Sequence, residues 1–189
     1  MVSTALQSLA GETFASLKIR NFKLYFVGLC TSQIGDWMQN VALGWLVLQV
    51  TGSGVALGIV LALRFAPILL GGPFTGAIVD SLEKKRILYF TQGGFGILAL
   101  LLAVLQYFGS VELWMIYCFA LVIGALDLLD KPTRQTFVHL MVGPDNLRNA
   151  VSLNSTAVNL ARSIGPLFAG ALSASFGLAF CFLVKAFSA

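Results

Sequence analysis

The chain has 189 residues, of which 58% are hydrophobic and only 11% charged; its mean hydropathy is +0.87 and its formal net charge +4. A water-soluble domain carries about 25% charged residues, so there is too little polar surface here to enclose an apolar core in water. These figures exclude a free soluble enzyme, a nucleic-acid binder and a disordered tail, and make a lipid bilayer the expected solvent. The basic excess sits at the ends of apolar runs, where it reports membrane orientation and not nucleic acid. Cys30, Cys118 and Cys181 all lie in apolar runs, an odd set that reads as free thiols. The single histidine, His139, leaves no His-based metal cluster, and neither a metal nor a cofactor is expected.

A helix needs about 20 apolar residues to cross a bilayer. Residues 1–23 read as a cytoplasmic N-terminal segment. Within it, residues 6–17 fit either a short amphipathic surface helix or an unstructured tail, and they lack the basic start and long apolar core of a signal peptide. Residues 24–189 read as an all-α, polytopic bundle. The run 24–63 is too long for one span, and Thr51-Gly52-Ser53-Gly54 cuts it in two. Spans one and two are then 24–50 and 55–79. The charged break 80–86 leads to span three at 87–108, and Gly109-Ser110 turns the chain into span four at 111–129. Residues 130–148 read as a polar, proline-containing connection with a short surface helix over 133–141. Span five follows at 151–173. A sixth begins near residue 176 and has only about 14 residues before position 189, too few to cross.

Lys and Arg set the orientation. Lys18, Arg20 and Lys23 precede span one; Lys84, Lys85 and Arg86 follow span two; Lys131, Arg134 and Arg148 lie between spans four and five. The turns at 51–54 and 109–112 contain neither residue type. The bias places the N-terminus and the long connections in the cytoplasm, as in a multi-pass protein of the cell (inner) membrane.

Ionisable groups inside a span are expensive and are functional candidates by default. Span one carries Ser32, Gln33, Asp36, Gln39 and Asn40, whose spacing of three and four puts them on one helical face. A stripe of this kind serves either as helix–helix glue or as a substrate or proton pathway. At about 1.5 Å per residue, Asp36, Arg64 in span two and Arg162 in span five fall at similar depth near the midplane. Ser155, Asn159, Arg162 and Pro166 share a face of span five. One acid and two guanidinium groups give a net positive pocket suited to anionic or acceptor-rich cargo, with Asp36 titrating or pairing with an arginine. The alternative is a structural Asp–Arg pair that only fixes packing. Small residues at Gly54-x3-Gly58 and Gly72-x3-Gly76 are candidates for close helix contacts. The Gly-Pro steps at 72–73 and 165–166 occupy positions that an inverted repeat would match.

Several stretches resemble the major facilitator superfamily, and within it a branch of drug and siderophore exporters that includes enterobactin-exporter-like and macrolide-efflux-like proteins. They are Asn21-Phe22-Lys23-Leu24-Tyr25 leading to Gly35-Asp36-Trp37, the run 45–53, and the segments 132–135 and 149–154. The loop Gly76-Ala77-Ile78-Val79-Asp80-Ser81-Leu82-Glu83-Lys84-Lys85-Arg86 resembles the superfamily's motif G-x-L-A-D-R-x-G-R-K, with Ser81 and Glu83 departing from it. Ala161-x3-Gly165-Pro166-x2-Ala169-Gly170 resembles the antiporter motif G-x3-G-P-x2-G-G, with Ala161 and Ala169 in glycine positions. The resemblance implies the N-terminal six-helix half of a twelve-span fold, its sixth span incomplete, with the C-terminal half in the same or a separate chain. It implies secondary active export of a small molecule by proton antiport and alternating access, driven by the proton-motive force. It also implies a gating network in which Asp80 and the cluster Lys84, Lys85 and Arg86 work with an acid of span four, here Asp127 or Asp130. A truncated, inactive half-transporter or membrane scaffold is the alternative. An enzyme is not expected, because no nucleophile–base pair and no phosphate-binding loop is legible. Lys185 stands in span six, where an uncharged residue is more usual.

Overall fold

The computed structural model describes Ser16 and residues 19–189. The segment 6–17, apart from Ser16, and Lys18 lie outside the described residues. The architecture is all-α. Among the described residues, five helical runs follow in order: α1 (Arg20–Thr51), α2 (Gly54–Ser81), α3 (Lys84–Tyr107), α4 (Leu113–Phe176) and α5 (Leu178–Ser188). α4 is two helical limbs joined at Gly143, whose φ of 68° and ψ of 175° are non-helical. That conformation is essentially confined to glycine, and Pro144 after it cannot donate a backbone hydrogen bond. The limbs therefore part at this dipeptide.

The structure differs from the sequence reading between residues 130 and 142. The helix does not stop near residue 129; it runs on through Pro132 to the Gly143 break. Proline removes one backbone hydrogen bond, but side chains brace the turn around it. Thr133 Oγ1 donates to the Leu129 carbonyl at 2.6 Å, Thr136 Oγ1 donates to the Pro132 carbonyl at 3.1 Å, and Arg134 pairs with Asp130 one turn back at 2.6 Å.

The turn between α1 and α2 has the chemistry that its residues suggest. Gly52 adopts φ 62° and donates its N–H to the Leu48 carbonyl, and the Ser53 hydroxyl accepts from Ala56 N. α1 packs on α4 and α5, α2 on α4, and α3 on α4 and α5. One apolar cluster gathers Ala42, Leu46 and Val47 of α1 with Val60, Leu102, Ile116 and Phe182. A second joins Phe22 to Val138, Val142, Ala150 and Leu153 around the α4 break. Ser16 is tied to the same region, its hydroxyl donating to the Asn146 carbonyl and its N–H to Asn149 Oδ1.

The outside is as apolar as the inside. Leu24, Val55, Leu69, Leu70, Phe74, Tyr89 and Leu167 all stand exposed. Three segments, Gly54–Ser81, Lys84–Tyr107 and Leu113–Pro144, are long and apolar enough to cross a membrane. α1, with 32 residues, has the length but carries the polar stripe along its middle. Neither of the glycine pairs suggested by spacing makes a close contact: Gly54, Gly58, Gly72 and Gly76 have no neighbour within 4 Å of a Cβ position. The close approaches lie elsewhere. At Gly124 of α4 a Cβ would stand 2.9 Å from the Arg64 carbonyl carbon and 3.1 Å from Arg64 Cα. Only glycine lets α2 and α4 cross at that point.

Candidate functional site

Along α1, the polar stripe falls between the Phe22 cluster and the Ala42–Val47 cluster. Unsatisfied polar groups are costly there, and the structure answers with partners from α2, α3 and α5. Asp36 Oδ1 lies 2.7 Å from Lys185 Nζ of α5. Lys185 has no solvent exposure, while the Asp36 side chain is 29% exposed. The ammonium also reaches Ser32 Oγ at 3.4 Å and lies 5.5 Å from the centre of the Phe95 ring. The partner of Asp36 is thus a lysine, not an arginine.

Arg64 of α2 donates through Nη1 to Asn40 Oδ1 of α1, and through Nε and Nη2 to Asp127 Oδ2 of α4 at 3.4 and 3.2 Å. Lys131 adds a second cation to Asp127 at 3.4 Å. A small cavity of about 10 Å³, lined by Asp36, Gln39, Asn40, Leu43, Arg64, Phe95 and Ile123, separates the two ion pairs. A space of that size holds a single water at most. Asp36, Asn40 and Arg64 therefore do meet at one level. Each charge lining the cavity has a partner, however: Lys185 offsets Asp36 and Asp127 offsets Arg64. Arg162 does not line the cavity: it is exposed, with its guanidinium carbon 5.2 Å from the centre of the Trp37 ring. Asn159, also exposed, donates back to the Ser155 carbonyl at 2.9 Å. Gln33 is half-buried beside the stripe.

A third cluster extends the network. Asp130 Oδ1 accepts from Thr91 Oγ1 at 2.7 Å and Gln92 Nε2 at 2.8 Å, and its Oδ2 accepts from Arg134 Nε at 2.6 Å. Gln92 Oε1 in turn accepts from Ser32 Oγ at 3.2 Å. A continuous polar path therefore runs from Asp36 through Lys185, Ser32 and Gln92 to Asp130. Sequence reasoning missed Lys185 as a partner, along with Thr91 and Gln92. The lysine carried a signal, since a lone cation in an apolar helix must find an anion. Thr91 and Gln92 carried none, being uncharged and unaccompanied by a motif.

The loop motif is arranged differently from the network that the resemblance implies. Lys84 Nζ donates to the carbonyls of Val79, Asp80 and Leu82 at 2.8, 3.2 and 3.3 Å, capping the end of α2. Arg86 pairs with Glu83 at 2.8 Å on the surface. Gly76, Asp80 and Lys85 are exposed. Among the described residues no ion pair joins Asp80 or Lys84–Arg86 to Asp127 or Asp130, whose carboxylates are taken by Arg64, Lys131 and Arg134.

The 161–170 motif is a packing seam. Ala161 and Ala169 are buried, and Cys181 Sγ donates to the Ala169 carbonyl at 3.7 Å. Pro166 is half-buried and Gly170 is exposed. Gly165 lies on α1, where a Cβ would meet Trp37 Cβ at 2.5 Å and the Ile34 carbonyl oxygen at 3.2 Å. The motif's glycine is thus what lets α4 reach the turn of α1 that bears Asp36.

With that geometry in place, comparison with known proteins settles the lineage. A family model described as a transmembrane secretion effector matches residues 11–189. The chain belongs to this family of the major facilitator superfamily. It is 33% identical to the staphyloferrin A transporter of Staphylococcus aureus over 87% of its own length and 42% of that protein. It is 25% identical to the enterobactin exporter of Salmonella typhimurium, covering 84% of this chain and 38% of the relative. It is 21% identical to macrolide efflux protein A of Streptococcus pyogenes, covering 82% and 39%. The chain thus spans about two fifths of the length of these relatives. No solved structure matches it.

Proposed function

We propose that these residues form the N-terminal half of a secondary active exporter in the cell membrane, which moves a small molecule of drug or siderophore type against protons by alternating access. The observation that carries the reading is the layer of ion pairs inside the bundle: Asp36–Lys185 on one side of a small polar cavity and Arg64–Asp127 on the other. Charges at such depth are rare unless they move ions or cargo. Asp36 is the more exposed partner of its pair and borders the cavity, which makes it the proton acceptor. Because each charge lining the cavity is paired, the cavity itself carries no preference for anionic cargo. The spans are those of α1 to α3, the two limbs of α4, and the start of a sixth at α5. The N-terminus lies in the cytoplasm with the basic ends at Arg20, Lys23, Lys84–Arg86 and Arg148. Substrate meets this half and a C-terminal half at their shared face, to which the exposed stripe Ser155, Asn159 and Arg162 belongs.

The test is efflux from inverted membrane vesicles containing the full-length protein, with staphyloferrin A, enterobactin and a macrolide as cargo. The expected result is accumulation of at least one of them that an uncoupler abolishes and that Asp36→Asn removes. Accumulation that survives both perturbations would refute proton coupling at Asp36.

A further inference from the structure

α5 meets α1 through one ion pair set in a largely apolar seam. Leu178, Cys181 and Phe182 of α5 are buried in the main apolar cluster. One turn beyond Cys181, the stem of Lys185 lies flat against Gly35, where a Cβ would stand 3.2 Å from Lys185 Cδ. The ammonium then turns back to Asp36 at 2.7 Å. Its other neighbours are weak: the Ser32 hydroxyl at 3.4 Å and the Phe95 ring face at 5.5 Å. The charged groups around Asp36 are Lys185 of α5, Arg64 of α2 across the cavity, and Asp130 with Arg134 of α4, reached through Ser32 and Gln92. The anions Asp127 and Asp130 already have cations of their own, so neither is free to replace Asp36 beside Lys185.

We propose that Lys185 is a positioning residue whose burial, and with it the docking of α5 on α1, depends on the charge of Asp36. An ammonium with no solvent exposure and no anion is far more costly than a hydroxyl and a ring face can offset. Loss of the Asp36 charge therefore drives Lys185 toward water and draws α5 off α1. The inference rests on the exporter reading in one respect: there, the event that removes the charge is a proton binding the Asp36 carboxylate. The two partners are not equivalent. Removing the aspartate charge strands a buried cation, whereas removing the lysine charge leaves a carboxylate that is already partly exposed and faces a polar cavity.

Cys181 is a built-in reporter of this docking, being fully buried and one helical turn from Lys185. The experiment uses the full-length protein in membranes with every other cysteine replaced by serine, and follows labelling of Cys181 by N-ethylmaleimide. Asp36→Asn is expected to raise the labelling rate at least about tenfold. Lys185→Met is expected to leave it near the parent rate, and the double variant D36N/K185M to return it to within about twofold of the parent, because no buried cation remains. If the loosening came from an effect of the asparagine other than the stranded ammonium, the double variant would label no slower than Asp36→Asn; that result, or slow labelling of Asp36→Asn itself, overturns the proposal. Should Asp36→Asn fail to accumulate, normal accumulation of the double variant carries the same conclusion, and failure of both refutes it. The labelling needs no cargo, so it separates the two claims. Rapid labelling of Asp36→Asn alongside uncoupler-sensitive efflux would leave the docking claim standing and remove proton coupling at Asp36. Unchanged labelling with lost efflux would do the reverse.

Discussion

Gly165 offers the most direct test of the helix geometry, because a single methyl group added there has nowhere to go. In Gly165→Ala the new Cβ would stand 2.5 Å from Trp37 Cβ, 3.2 Å from the Ile34 carbonyl oxygen and 3.4 Å from Met38 N. Non-bonded carbons rest at about 3.5–4.0 Å, so α4 and α1 must part by about 1 Å. Trp37 Cβ is bonded to the backbone and no rotamer moves it aside. Overpacking of this kind costs about 1–3 kcal/mol. The Arg162 guanidinium lies 5.2 Å from the Trp37 ring centre, and the same shift takes it to the limit of about 6 Å at which a cation–π contact still contributes about 0.5–1 kcal/mol. Alanine returns about 0.5–1 kcal/mol over glycine inside a helix. The net loss is about 1–3 kcal/mol, measured by denaturant titration of the purified full-length protein in detergent micelles. Gly170→Ala, in the same helix and the same motif, meets no heavy atom within 4 Å and should be neutral or slightly stabilising. If the two variants unfold together, the close approach of α4 to Trp37 is wrong.

Gly143→Ala should cost about 1–3 kcal/mol by the same titration, since φ 68° with ψ 175° is open to glycine almost alone; a silent substitution would show that the chain does not bend there. Arg64→Met should destabilise by about 1–3 kcal/mol, because Asp127 then keeps only Lys131, which is 58% exposed, and Asn40 loses its donor. Combining it with Asp127→Asn should recover part of that loss in a double-mutant cycle, and strict additivity would mean that the two side chains do not interact.

The legible part of this fold was the part that the solvent writes. Apolar runs, the Thr51–Gly54 turn and the positions of Lys and Arg follow from the cost of placing polar groups in a bilayer, and that cost acts on each residue separately. The polar stripe of α1 was legible for the same reason, since its period is that of a single helix. What could not be read is what depends on two elements at once. Span four was ended at residue 129 because a polar, proline-containing run begins there. The Thr133, Thr136 and Arg134 contacts that carry the helix past it are ordinary residues whose effect appears only once the turn is built. Likewise Gly72 and Gly76 had the spacing of a contact and make none, while Gly124, which no spacing singled out, meets the Arg64 backbone; Gly165 was marked by its motif and does meet α1. Spacing reports which face a residue occupies, and not whether a neighbour stands there.

The charges show why the site itself was only half visible. Asp36, Arg64 and Arg162 were found from sequence because each interrupts an apolar run, and summing them gave a positive pocket. The sum changes when the partners are counted: Lys185 stood out only as an unusual charge in span six and Asp127 only as a candidate partner of the gating loop, yet they pair with Asp36 and Arg64. Arg162 is then the intramembrane cation left with an aromatic face in place of a carboxylate among the described residues. It stands on the exposed polar stripe with Ser155 and Asn159. An arginine in that position cannot face lipid at tolerable cost. Under the exporter reading, its counter-charge comes from cargo or from the half of the protein that covers this face.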